Sequence, residues 1–116
     1  MKIGDVHFPT TKELKEISNK KRTEMWANSM TRIFGLISEQ LTFAAENGST
    51  ETTIVCFDCD YKCVDLHGVK DRDIILTKIM EVDDDYSVEI RDHDYETYNQ
   101  GKEYSGIDIT IKWDLL

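Results

Sequence analysis

The segment CFDCDYKCVDLH, residues 56–67, holds all three cysteines, Cys56, Cys59 and Cys63, and one of the three histidines, His67. Three thiols and an imidazole are the ligand types of a tetrahedral zinc site. The spacing is less favourable. On a strand, Cys59, Cys63 and His67 share a face, but successive ligands lie roughly 13 Å apart and Cys56 points the other way. On a helix, all four fall along one stripe about 5–6 Å apart. Zinc bonds of about 2.0–2.3 Å then capture two neighbours and not four. Only a tight irregular loop closes around one ion, and no glycine lies between Cys56 and His67 to supply backbone freedom. The competing reading makes Cys56 a buried strand residue and puts Cys59 and Cys63 on or near a turn. A Cys56-x-x-Cys59 redox pair needs its activated thiol at a helix N-terminus, whereas Cys56 falls inside a strand pattern. No cofactor is implied.

Other reactive groupings lack parts. Asp92-His93-Asp94 offers metal-binding types, but on a strand His93 faces away from both carboxylates. Asp83-Asp84-Asp85 lacks the alternating spacing and the glycine of a calcium loop. There is no G-x-S-x-G, Gly-rich phosphate loop or HExxH. A Cys63–His67 dyad at helical spacing has no identifiable orienting residue or oxyanion donors. The expectation is a protein that binds and does not catalyse.

Charge says what it binds. The chain carries 23 acidic and 14 basic residues, a net of −9. Residues 1–40 hold seven basic and five acidic side chains, and residues 41–116 hold seven and eighteen. Such a balance repels nucleic acid and anionic membrane, and favours protein partners, cationic surfaces or small molecules. The basic cluster Asn19-Lys20-Lys21-Arg22 is diluted by Glu13, Glu16 and Glu24, as on a solvated helix face. Within the acidic part, Tyr86, Tyr95, Tyr98 and Tyr104 alternate with carboxylates. Tyrosines among carboxylates suit contact with a basic protein patch. They also suit mimicry of DNA, with carboxylates standing in for phosphates. The residues expected to carry binding are Asp92, Asp94, Tyr95, Glu96, Tyr98 and Glu103. Two alternatives are an oligomeric sponge for a nucleotide-type signalling molecule and a zinc-stabilised interaction module built on Cys56, Cys59, Cys63 and His67.

These residues need a frame, and 116 residues suffice for one domain. Thr10 or Thr11 caps a helix of about 12–46, with apolar positions Leu14, Ile17, Trp26, Met30, Ile33, Ile37, Leu41 and Ala44. Ser18-Asn19-Lys20-Lys21 is the place for a break, and Asn47-Gly48 for the end. Thr52–Phe57 reads as a strand buried on both faces. Tyr61–Leu66 reads either as a second strand or as a helical turn ended by Gly68. Asp71 caps a second helix, about 72–82, whose apolar face is Ile75, Ile79 and Val82. Tyr86–Arg91 and Ile107–Trp113 alternate as half-buried strands, separated by a polar stretch, 92–105, with Asn99-Gln100-Gly101 as the turn. The fold class is α+β: a long N-terminal helix and a shorter one on one face of a small, largely antiparallel sheet of three to four strands. The long helix is also a surface for a homo-oligomer.

Ala44-Ala45-Glu46-Asn47-Gly48, Thr53-Ile54-Val55, Tyr86-Ser87-Val88-Glu89-Ile90 and Ile109-Thr110-Ile111-Lys112-Trp113 follow one another in a pattern that resembles a loose group of small phage-encoded accessory proteins. The resemblance covers roughly 41–113, and the cysteine-bearing insert 59–67 departs from it. It implies a small virus-type protein acting on a host protein, and it carries over no functional residues. Neither a secretory leader nor an apolar run of spanning length is legible. An odd cysteine count then points to reduced thiols in a cytoplasm, that of the host if the protein is phage-encoded.

Overall fold

The computed structural model describes residues 2–98 and 102–113, and for 94–98 and 102–104 the backbone only. A two-stranded hairpin, β1 (Lys2–Ile3) and β2 (Val6–His7), precedes helix α1 (Thr11–Glu46). Strand β3 (Glu51–Phe57), a short 3-10 turn (Asp58–Asp60), helix α2 (Val69–Val82), and strands β4 (Ser87–Tyr98) and β5 (Lys102–Lys112) follow. The last three strands form one antiparallel sheet in the order β3-β5-β4. The molecule is therefore α+β, as the periodicities require.

Helix α1 starts where Thr10, in extended backbone, accepts the Glu13 amide on its hydroxyl at 3.2 Å, half of a capping box. It ends as Gly48 turns into the left-handed region, φ 79°, and the Gly48 and Ser49 amides reach back to the Ala45 and Ala44 carbonyls. The helix is unbroken through Ser18–Lys21, because the Lys, Arg and Glu around that stretch are good helix formers. Only Ser29, Met30, Ile33 and Ile37 are buried along it. Leu14 and Ile17 stay 48% and 63% exposed, so the first third of α1 projects past the body. The molecule measures 71 × 39 × 25 Å.

One face of the sheet makes the core. Ile54 and Cys56 of β3 stand opposite Ile109 and Ile107 of β5, and Ile90 and Val88 of β4 flank Ile109 and Ile111. Met30, Ile33 and Ile37 of α1 and Ile75 and Ile79 of α2 close over them. The other face meets solvent: Thr53 and Thr110 share a hydroxyl hydrogen bond of 3.0 Å there. This corrects the expectation for residues 52–57, since β3 is half-buried, with Val55 36% exposed. A three-stranded sheet with both helices on one side leaves the other side wet.

Three more expectations change. Gly68, extended at φ −83°, is the N-cap of α2, and Asp71 sits in its first turn. The Asp71 carboxylate accepts the Asp65 amide at 2.8 Å and the Trp26 indole N–H at 3.1 Å, which joins α1, the 58–68 loop and α2. Val82 is exposed rather than on the buried face of α2. Residues 61–66 are neither strand nor helix. Tyr61 and Leu66 are buried, the Ser29 hydroxyl donates to the Lys62 carbonyl at 2.9 Å, and the Arg32 guanidinium donates to the Asp60 carbonyl at 2.7 Å. Anchored to α1 in this way, the loop has no strand partner.

Candidate functional site

Within the polar stretch 92–105, residues 92–98 and 102–105 are strand and not loop. Strand β4 runs on to Tyr98 and β5 starts at Lys102, paired as Glu96↔Tyr104, Thr97↔Glu103 and Tyr98↔Lys102. The ladder of β3 with β5 stops at Phe57↔Gly106. Beyond Gly106 the sheet is therefore a two-stranded ribbon, and it contains Asp94, Tyr95, Glu96, Tyr98 and Glu103. A register shift between His93 and Glu96 marks a bulge at the ribbon's base, and bulges bend and twist a ladder. The side chains of Asp94, Tyr95, Glu96, Tyr98 and Glu103, and the turn 99–101, lie outside the described residues.

Asp92, at the base, is described. It stands in register with Ile107, on the helix-bearing face. Its Oδ1 takes the His67 Nδ1 hydrogen bond at 2.8 Å and an ion pair from Arg72 of α2. The Arg72 Nε donates to the Leu66 carbonyl at 2.6 Å. The other imidazole nitrogen of His67 meets Asp58 Oδ2 at 2.8 Å and Ser105 Oγ at 3.1 Å. Five residues from the 3-10 turn, the loop, α2, β4 and β5 thus converge where the ribbon leaves the sheet. On the opposite face, Phe57 and His93 flank Gly106, with ring centroids 5.6 Å apart and edge to face. His93 Nδ1 also pairs with Asp108 at 2.6 Å.

The connectivity Ser105–His67–Asp92 has the order of a hydroxyl, a base and an orienting carboxylate. Electrostatics gives the imidazole another part. Hydrogen bonds to Asp92 and to Asp58 push the His67 pKa above its ordinary 6.5, because both favour the imidazolium. The same contacts, first with His67 and then with Arg72, hold Asp92 below the usual carboxylate value. In its protonated form the ring donates from both nitrogens to the carboxylates and has no lone pair for the Ser105 proton, whereas the neutral form keeps one. The cluster is a charged clamp on the ribbon.

The four candidate zinc ligands are not brought together. Cys56 is buried in β3, Cys59 and Cys63 are exposed, and His67 is held by carboxylates. Among the described residues no three or more His, Cys, Asp or Glu side chains are grouped to hold a metal ion. Burial pushes the Cys56 thiol up to about 11, away from the thiolate that metals and electrophiles need. Tyr61 beside it is raised to about 12, again first by burial.

Of the six residues expected to bind, Asp92 belongs to the clamp and the other five to the ribbon's backbone. Sequence reasoning missed Asp58, Arg72 and Ser105. Their distances from His67 along the chain follow no local period, so only the packing of α2 beside β4 joins them. No protein-family model, curated protein or solved structure matches the chain. Among the described residues, no helix is long and apolar enough to cross a membrane.

Proposed function

We propose that this is a small acidic protein that acts by binding. It modulates or inhibits a host protein in the host cytoplasm through the β4–β5 ribbon, in the manner of a phage-encoded accessory protein. One observation carries the reading: the ladder of β4 with β5 continues past the end of β3 as far as Tyr98↔Lys102, through the most Tyr- and carboxylate-rich stretch of the chain. A ribbon held at its base by His67, Arg72, Asp58 and Ser105 is preorganised, which lowers the ordering cost of association. Carboxylates interleaved with tyrosines give steering toward a basic patch together with compact amphipathic contact area. A nucleic-acid-binding protein is one partner with such a patch, and there the ribbon would stand in for phosphates.

The test is affinity capture from bacterial lysate with the wild type and with Asp94→Lys/Glu96→Lys/Glu103→Lys, a variant that leaves the clamp intact. The expected result is a complex that weakens with salt and is lost in the variant. Displacement of the partner by duplex DNA would identify the mimicry form. Capture that is indifferent to both salt and charge reversal overturns the proposal.

A further inference from the structure

The side of α1 that covers the sheet changes character where the helix leaves the body. Met30, Ile33 and Ile37 pack into the core from that side. At about 100° per residue, Trp26, Arg22, Asn19, Lys15 and Lys12 fall on the same side, within roughly 80° of arc. Glu13 and Glu24 lie about 100° or more outside that arc, and Glu16 about 40°. The apolar stripe is therefore continued by a basic one. Neither Lys12, Lys15 and Arg22 nor Lys70 of α2 makes an ion pair with another described residue.

This stripe runs into a pocket of about 540 Å³ between α1, the 58–68 loop and the start of α2, lined in part by Arg22, Trp26, Cys63, Lys70 and Ile74. Its volume is that of small-molecule sites. Trp26 is half-buried, and its indole N–H is held by Asp71 at 3.1 Å, which fixes the ring as a wall. Asp71 is the one carboxylate on the lining. It also accepts the Asp65 amide, and Arg22 and Lys70 outnumber it. Lys70 sits in the first turn of α2, whose N-cap Gly68 offers no side-chain oxygen, so the helix end adds partial positive charge. Cys63 stands at φ 66°, the only non-glycine residue in the left-handed region among the described residues. The loop holds it there because Tyr61 and Leu66 are buried on either side and the Lys62 carbonyl is bound by Ser29. A chain with a net charge of −9 thus keeps one locally cationic pocket with an aromatic wall.

We propose that this pocket binds a small aromatic anion of the nucleoside monophosphate class, with the ring against Trp26 and the phosphate between Arg22 and Lys70. A planar guanidinium and an ammonium together match a doubly charged phosphate. A fixed indole gives a flat ring its stacking surface. An inorganic anion would meet the two cations and leave the Trp26 and Ile74 wall uncovered. The basic stripe at Lys12 and Lys15 draws anions toward the pocket, which the rest of the surface repels. The β4–β5 ribbon takes no part in the pocket, so the site is independent of the function proposed for the ribbon.

Two readouts on the folded protein test it. The chain has two tryptophans, so Trp113→Phe leaves Trp26 as the only one. Titration of that variant with AMP, GMP, CMP and UMP is expected to change Trp26 fluorescence saturably for at least one of them, with a midpoint below about 1 mM. In the wild type, the same nucleotide is expected to slow alkylation of Cys63 by iodoacetamide and to leave Cys59, which is exposed outside the pocket, unchanged. Arg22→Glu/Lys70→Glu, both exposed positions, is expected to weaken binding about tenfold or more, with an unchanged circular dichroism spectrum. Three results overturn the proposal: no saturable change and no protection of Cys63 from any of the four nucleotides, equal protection by inorganic phosphate alone, or an affinity that survives the charge reversal.

Discussion

Adding one methyl group at two different glycines is expected to move stability in opposite directions. A Cβ on Gly106 would lie 2.0 Å from the Cys56 carbonyl oxygen, and 2.9 Å from both the Cys56 carbonyl carbon and the Phe57 Cα. All three atoms are β3 backbone, which cannot swing aside as a long side chain does. Gly106→Ala must push β3 from β5 at the last rungs of their ladder. Overpacking costs about 1–3 kcal/mol, and each ladder hydrogen bond lost adds about 1 kcal/mol. The sum is about 3 kcal/mol, which lowers the melting temperature by about 12–24 °C at 4–8 °C per kcal/mol. A Cβ on Gly35, in the middle of α1, meets nothing within 4 Å. Gly35→Ala removes backbone entropy from the unfolded chain and gains about 1 kcal/mol, roughly 4–8 °C. Thermal melts followed by circular dichroism at dilute protein read both. A Gly106→Ala protein melting within about 2 °C of wild type would refute the close β3–β5 approach that fixes the base of the ribbon.

His67 is expected to titrate above its ordinary 6.5 by NMR, and Asp92→Asn or Asp58→Asn to bring it down, since those carboxylates raise it. A raised His pKa contributes stability that is complete below about pH 6.5 and lost as pH rises through the folded value, whereas the lowered Asp92 contributes above about pH 3.8 and fails as pH falls. The clamp is therefore strongest between those two values, and amide exchange at the ribbon base should quicken on either side of the window. Iodoacetamide at pH 8 is expected to label Cys59 and Cys63, which are exposed, and to spare Cys56, which is buried with its thiol raised to about 11; mass spectrometry of the folded protein counts the adducts. Asp71→Ala strands the Trp26 N–H and the Asp65 amide, and is expected to destabilise by about 2–3 kcal/mol in a urea titration.

The elements that rest on a regular period were legible. The long helix, the strand 107–113 and the terminator Asn47-Gly48 each follow from spacing that one segment carries within itself. The errors come from positions where a distant partner decides. Residues 92–98 and 102–105 are polar enough to resemble a loop, and backbone pairing of β4 with β5 made them strand. Asp71 has the chemistry of a cap, but Trp26 and the Asp65 amide claim its carboxylate. Leu14 and Ile17 fit the helix period, yet the sheet is too short to reach them. The site was half legible: Asp92 and His67 were each singled out, one for charge and one for metal. Their mutual contact, with Asp58, Arg72 and Ser105, depends on where α2 packs.

The claim that the ribbon is the binding surface is tested most directly by site-specific photocrosslinking in bacterial lysate. A photoreactive residue replaces Tyr95 or Tyr98 in one set of proteins, and Thr110, on the solvent face of the sheet, in a control. The account predicts one shared crosslinked host protein from both ribbon positions, lost at high salt and absent from the control. Crosslinks from Thr110 with none from Tyr95 or Tyr98 would contradict it.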